Sequence, residues 1–69
     1  MDIRRYCFEF EMTYKQLAAE IHYAPITIRM AASGKIKPGR KLIERLEDFS
    51  QGMITREDLL QKYSEKNKD

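Results

Sequence analysis

The 69-residue sequence has little of what small proteins use for covalent or metal-based stability and for catalysis. Its single cysteine, Cys7, cannot form an intrachain disulfide, and with a single histidine, His22, it cannot complete the usual four-ligand zinc site. Its glycines, Gly34, Gly39 and Gly52, are scattered and build no phosphate-cradling loop. No Ser/His/Asp or Cys/His constellation with supporting residues is present. These absences leave no expected catalytic residue, metal, cofactor or small-molecule ligand. No apolar run approaches the ~20 residues that span a bilayer. Met1-Asp2-Ile3-Arg4-Arg5 leads to Glu9 and Glu11 rather than to an apolar signal core. A soluble cytoplasmic protein with no membrane partner is therefore expected.

A chain this short forms one domain with a marginal core unless it packs efficiently or associates. The net charge of +2 is small, but it is unevenly placed. Between residues 29 and 45, Arg29, Lys35, Lys37, Arg40, Lys41 and Arg45 face only Glu44, a local balance of +5 that leaves the remainder at −3. Such a segment is either an electrostatic footprint for phosphates or an ordinary solvated face.

The apolar spacing predicts five helices and no strand. Ile3, Tyr6, Cys7 and Phe10 fall at i, i+3, i+4 and i+7, predicting an amphipathic helix over about 2–11 with Phe8 off the stripe. Cys7 reads there as a small buried residue rather than a reactive thiol. Thr13 and Gln16 form a capping box, with Met12 and Leu17 at the staple positions and Leu17, Ala18 and Ile21 as the apolar edge. His22 stands at a turn that wants a left-handed backbone, and Pro25 is suited to the first position of the next helix. Gly34 closes that helix at a left-handed position.

Gly39 is the best available N-cap for a fourth helix over about 40–50. Its buried side is Leu42, Ile43, Leu46 and Phe49, with Arg40, Lys41 and Arg45 outside, and Gly52 ends it. Thr55 caps a fifth helix, with Glu57 and Asp58 in its first turn and Ile54 facing Leu59. Residues 1–64 form the domain, and from Ser64 the polar end is expected to fray, with 65–69 a flexible tail.

Two short helices joined by a tight turn suit the major groove when the second buries one face and offers the other to base edges. At about 100° per residue, with Ile28 inward, Ile26, Arg29, Met30 and Ser33 lie outward and Ala31 and Ala32 point back. Arg29 either donates twice to guanine or holds a phosphate. Ile26 and Met30 either meet thymine methyl groups or belong to the core or a protein contact, and Thr27 can bond a base or a phosphate. The base-contacting set is thus Pro25, Ile26, Thr27, Arg29, Met30 and Ser33. The phosphate-contacting set is Thr13, Tyr14 and Lys15 at one helix start, with Lys35, Lys37, Arg40 and Lys41 beyond Gly34.

Thr13, Gln16-Leu17-Ala18, the turn at His22, Ile28, Gly34 and Pro38, continued by Leu42-Ile43-Glu44-Arg45-Leu46-Glu47, Gly52-Met53-Ile54-Thr55 and Asp58-Leu59, resemble the lambda-repressor-like helix-turn-helix family, the Cro and repressor regulators of phages and bacteria. The resemblance covers about residues 3–60. It implies an all-α, five-helix DNA-binding domain in the bacterial cytoplasm or nucleoid, commonly a homodimer on a palindromic operator. His22 departs from the glycine usual in that family, and Pro25-Ile26 stand where polar readers are common. A surplus of apolar groups at Met53, Ile54, Leu60 and Tyr63 either forms the dimer surface or packs within the chain. An antitoxin-type autorepressor and a protein adaptor without DNA binding are the alternative readings.

Overall fold

Each helix starts where a local signal in the sequence places it. The computed structural model describes residues 1–66, which form α1 (Ile3–Glu9), α2 (Tyr14–Ile21), α3 (Pro25–Ser33), α4 (Arg40–Phe49) and α5 (Arg56–Lys66), with no strand among them. Asp2 caps α1 by accepting from the Arg5 amide at 2.8 Å. At α2 both arms of the capping box form, with Thr13 Oγ1 accepting from the Gln16 amide at 3.0 Å and the Thr13 amide donating to Gln16 Oε1 at 2.8 Å. Thr55 and Asp58 make the same reciprocal pair at α5, at 3.1 and 3.3 Å.

The helix ends share a single device. After α1, α2, α3 and α4 the chain passes through a left-handed residue, respectively Glu11, His22, Gly34 and Gln51. In each case the next amide donates back across the last turn at 2.9 Å: Met12 to Cys7, Tyr23 to Ala18, Lys35 to Met30 and Gly52 to Glu47. This satisfies carbonyls that a helix end otherwise leaves bare. Of these four only Gly34 is glycine, and Gly52, φ 85°, follows Gln51 as a further positive-φ residue.

The six largest side chains essentially without solvent contact are Ile3, Leu17, Ile28, Leu46, Ile54 and Leu59. Each helix supplies one, and Ile54 comes from the turn between α4 and α5. Helix α3 is the shared wall of this core, packing against α1, α2 and α5, while α4 closes on α2 and α5. The radius of gyration, 10.8 Å, matches the ~11 Å of a well-packed chain of this length. Ser50, the buried polar residue, accepts from the Ile54 amide at 2.9 Å, which seats Ile54 in the core. No helix among the described residues is long and apolar enough to cross a membrane.

Two expectations need correction, at the end of α1 and at Arg45. Helix α1 stops at Glu9, two residues early. The left-handed turn at Glu11 breaks the period, so Phe10 stays 48% exposed and lays its ring on Tyr6, centroids 4.6 Å apart. For Ile54, left open between a pairing surface and the core, the structure gives full burial in the position expected to face Leu59. Arg45 does not stand outside α4 with Arg40 and Lys41 but turns inward, as described below. Helix α5 runs to Lys66, and of the segment expected to form a tail residues 67–69 lie outside the described residues.

Candidate nucleic-acid interface

The candidate surface is organised by how α3 is held. Ile28, Ala31 and Ala32 are buried, so the rotation of the helix is fixed, and Pro25, Ile26 and Arg29 are exposed on its other side. Met30, Thr27 and Ser33 are half-buried at the edges. The Ser33 hydroxyl donates to Met30 O at 3.2 Å, so its proton is already committed within the helix. Arg29 has no ion-pair partner among the described residues. No side chain caps α3, because Ala24 occupies the N-cap and Pro25 has no amide hydrogen. The Thr27 amide bonds Ala24 O at 3.0 Å, leaving the Ile26 amide as the first-turn donor open to solvent or a ligand.

The flanking cations are displayed by simple alternation. In the loop after Gly34, Ile36 packs against the core and Pro38 is buried, so Lys35 and Lys37 between them are exposed. Lys41, on the first turn of α4, is exposed, and so is Lys15 on the first turn of α2. Neither these lysines nor Lys35 and Lys37 make an ion pair among the described residues. Arg40 is exposed but bonds Glu44 at 3.3 Å along α4. Exposed i,i+4 pairs of this kind contribute only about 0.3–0.5 kcal/mol, so a phosphate can displace the carboxylate.

At the start of α2 the amide of Thr13 and an acceptor site of its hydroxyl are taken by the capping box, and the amides of Tyr14 and Lys15 remain open. Tyr14 is half-buried against the core. Burial, reinforced by neighbouring Cys7 and Asp2 and opposed by Arg4, pushes its phenol above the ordinary value, so the hydroxyl keeps its proton as a donor at neutral pH. Burial also pushes the Cys7 thiol up, away from thiolate reactivity.

Sequence reasoning missed the role of Arg45. Its Nη1 donates to Ile21 O at 2.8 Å, a carbonyl at the C-terminus of α2, and its guanidinium lies 5.4 Å from the ring centre of Tyr23. The cation thereby satisfies a helix end and clamps the turn between α2 and α3 onto α4. The signal was present, since Arg45 sits three residues from buried Leu42 and next to buried Leu46, at the edge of the apolar stripe rather than opposite it. With Arg45 committed and Arg40 paired, the unpaired cations of the basic segment are Arg29, Lys35, Lys37 and Lys41. Among the described residues no cluster of three His, Cys, Asp or Glu side chains is placed to hold a metal ion. The chain matches no protein-family model, no curated protein and no solved structure.

Proposed function

We propose that this chain binds double-stranded DNA sequence-specifically as a small Cro- or repressor-type transcriptional regulator, with α2 and α3 acting as a helix-turn-helix and α3 entering the major groove. The observation that carries this reading is the division of α3. One side is anchored by Ile28, Ala31 and Ala32, and the other exposes Pro25, Ile26 and Arg29 between elements that carry unpaired Lys15, Lys35, Lys37 and Lys41. An anchored helix with a free outer face meets base edges, and cations on flanking elements meet phosphates.

Two copies are needed to read a site of useful length, because one small domain contacts only a few base pairs. Met53, 45% exposed, with half-buried Leu60 and Tyr63, supplies the C-terminal surface for pairing on an inverted repeat.

Selection of bound duplexes from a random pool tests specificity and symmetry together, since a paired protein enriches an inverted repeat with half-sites about one helical turn apart. On the enriched site the logarithm of affinity should fall linearly with the logarithm of salt concentration. Lys37→Ala should reduce that slope by about one unit while weakening all sequences alike. An unchanged slope removes Lys37 from the phosphate contacts.

One observation favours a second reading, a protein adaptor. Phe8 is 79% exposed on α1, an apolar side chain on an element that DNA contact through α3 does not use. Failure to enrich any duplex selects that reading.

A further inference from the structure

The outer face of α3 is chemically narrow. Its nine residues include no Asn, Gln, Asp or Glu. In the major groove adenine is read by a carboxamide bridging N6 and N7, and cytosine by a carboxylate that accepts from N4. Neither group is available on α3. The Ser33 hydroxyl proton is spent on Met30 O and Thr27 is half-buried, so Arg29 is the one exposed charged donor. A guanidinium is suited to guanine O6 and N7.

Beside it lies Ile26, half exposed and three residues earlier on the same face. Half-buried Met30, at i+4 from Ile26, backs it. Residues three apart are neighbours on a helix surface, about 5–6 Å between Cβ atoms, so Ile26 and Arg29 can reach adjacent base pairs from one face. An isoleucine pressed on polar base edges desolvates them without a hydrogen bond in return. The group in the groove that rewards its contact is the methyl on C5 of a pyrimidine.

We infer that Ile26 and Arg29 together read a 5-methylpyrimidine beside a guanine, with Ile26 the residue that selects the methyl group. This rests on the DNA-binding reading above. Thymine and 5-methylcytosine carry the same methyl.

The test starts from the duplex enriched from a random pool and replaces its thymines one at a time with deoxyuridine, which removes only the methyl. At a thymine neighbouring a guanine, the wild-type protein should bind the deoxyuridine duplex about fourfold more weakly, the effect of about one buried methyl group. Ile26→Ala, a change at an exposed position, should bind both duplexes equally. Arg29→Ala should keep the methyl preference and lose the preference for the adjacent guanine. Placing 5-methylcytosine or cytosine at the same position separates the two sources. Equal binding of 5-methylcytosine and thymine assigns the shared methyl, and binding of 5-methylcytosine no better than cytosine assigns thymine alone. An enriched duplex indifferent to deoxyuridine at every position overturns the inference while leaving DNA binding intact, as does an Ile26→Ala protein that keeps the wild-type ratio. A pool that yields no enriched duplex overturns the DNA-binding reading, and the inference with it.

Discussion

The helix starts divide this molecule into two regions. Helices α1, α2 and α5 each begin with a side-chain oxygen accepting from a first-turn amide, from Asp2, Thr13 and Thr55. Helices α3 and α4 begin at Ala24 and Gly39 with no side-chain cap. A good cap stabilises a helix by about 1 kcal/mol, so the two regions are built to different standards. The uncapped pair encloses the basic loop, and the exposed faces of that pair carry Arg29, Arg40 and Lys41. Helices α3 and α4 are thus held by their packing in the core rather than by side-chain caps, and their first-turn amides have no side-chain partner.

The difference can be broken most strongly at the anchor of α3. Ile28→Ala removes a fully buried side chain from the shared wall and should destabilise the fold by about 2–5 kcal/mol in a urea titration. A loss below about 0.5 kcal/mol, typical of surface sites, would show that α3 is not held as described. Arg45→Met keeps the apolar stem but removes the charged bond to Ile21 O and the contact with Tyr23. It should cost about 1.5–3 kcal/mol while leaving the salt slope of the proposed DNA binding unchanged, the reverse of Lys37→Ala.

The caps themselves predict opposite signs. Thr13→Ala should cost about 1 kcal/mol, whereas Gly39→Ser should gain a few tenths or more, read as the shift in urea midpoint. Gly39 already has the extended φ of −75° and ψ of 164° that a capping serine adopts, and a Cβ there meets nothing within 4 Å. A destabilised Gly39→Ser protein would contradict the account of α4.

The smallest effect is on pH dependence. The Met1 terminal ammonium, 2.6 Å from Asp58 Oδ2, holds that carboxyl below its ordinary range, assisted by the bonds to Thr55 and opposed by partial burial. A lowered folded-state pKa means that this stability is present above the unfolded value near 4 and is lost as pH falls through the folded value. Asp58→Asn should therefore lower stability at neutral pH and flatten its decline below about pH 4. An unchanged acid limb would remove the terminal ammonium and Asp58 from that balance.

Much of the fold was legible because it is written in contacts three to five residues long. The capping box of Thr13, the N-cap at Thr55, the proline at the start of α3, and the left-handed turns at His22 and Gly34 all appear as the sequence suggests. The left-handed turns at Glu11 and Gln51 were not legible, since neither residue type favours that backbone. There the 2.9 Å back-bonds from Met12 and Gly52, together with packing, override local preference. For the candidate site, periodicity placed Ile26, Arg29 and Ile28 on the correct sides of α3. It could not foresee that the Ser33 hydroxyl turns back to its own helix or that Arg40 pairs with Glu44.

By itself, then, the sequence determined five helices, where most of them start and stop, and which face of α3 is buried, because these follow from hydrogen bonds within a turn and from a 3.6-residue period. The tertiary structure alone decided that Arg45 belongs to the turn before α3, 24 residues away in the chain, and that Met1 pairs with Asp58 across 57. It also decided that Phe10, on the apolar stripe of α1 by its spacing, stays half exposed. A charge or an apolar group has the same local signature whether it meets solvent or a distant segment, and only the assembled packing determines which partner it finds.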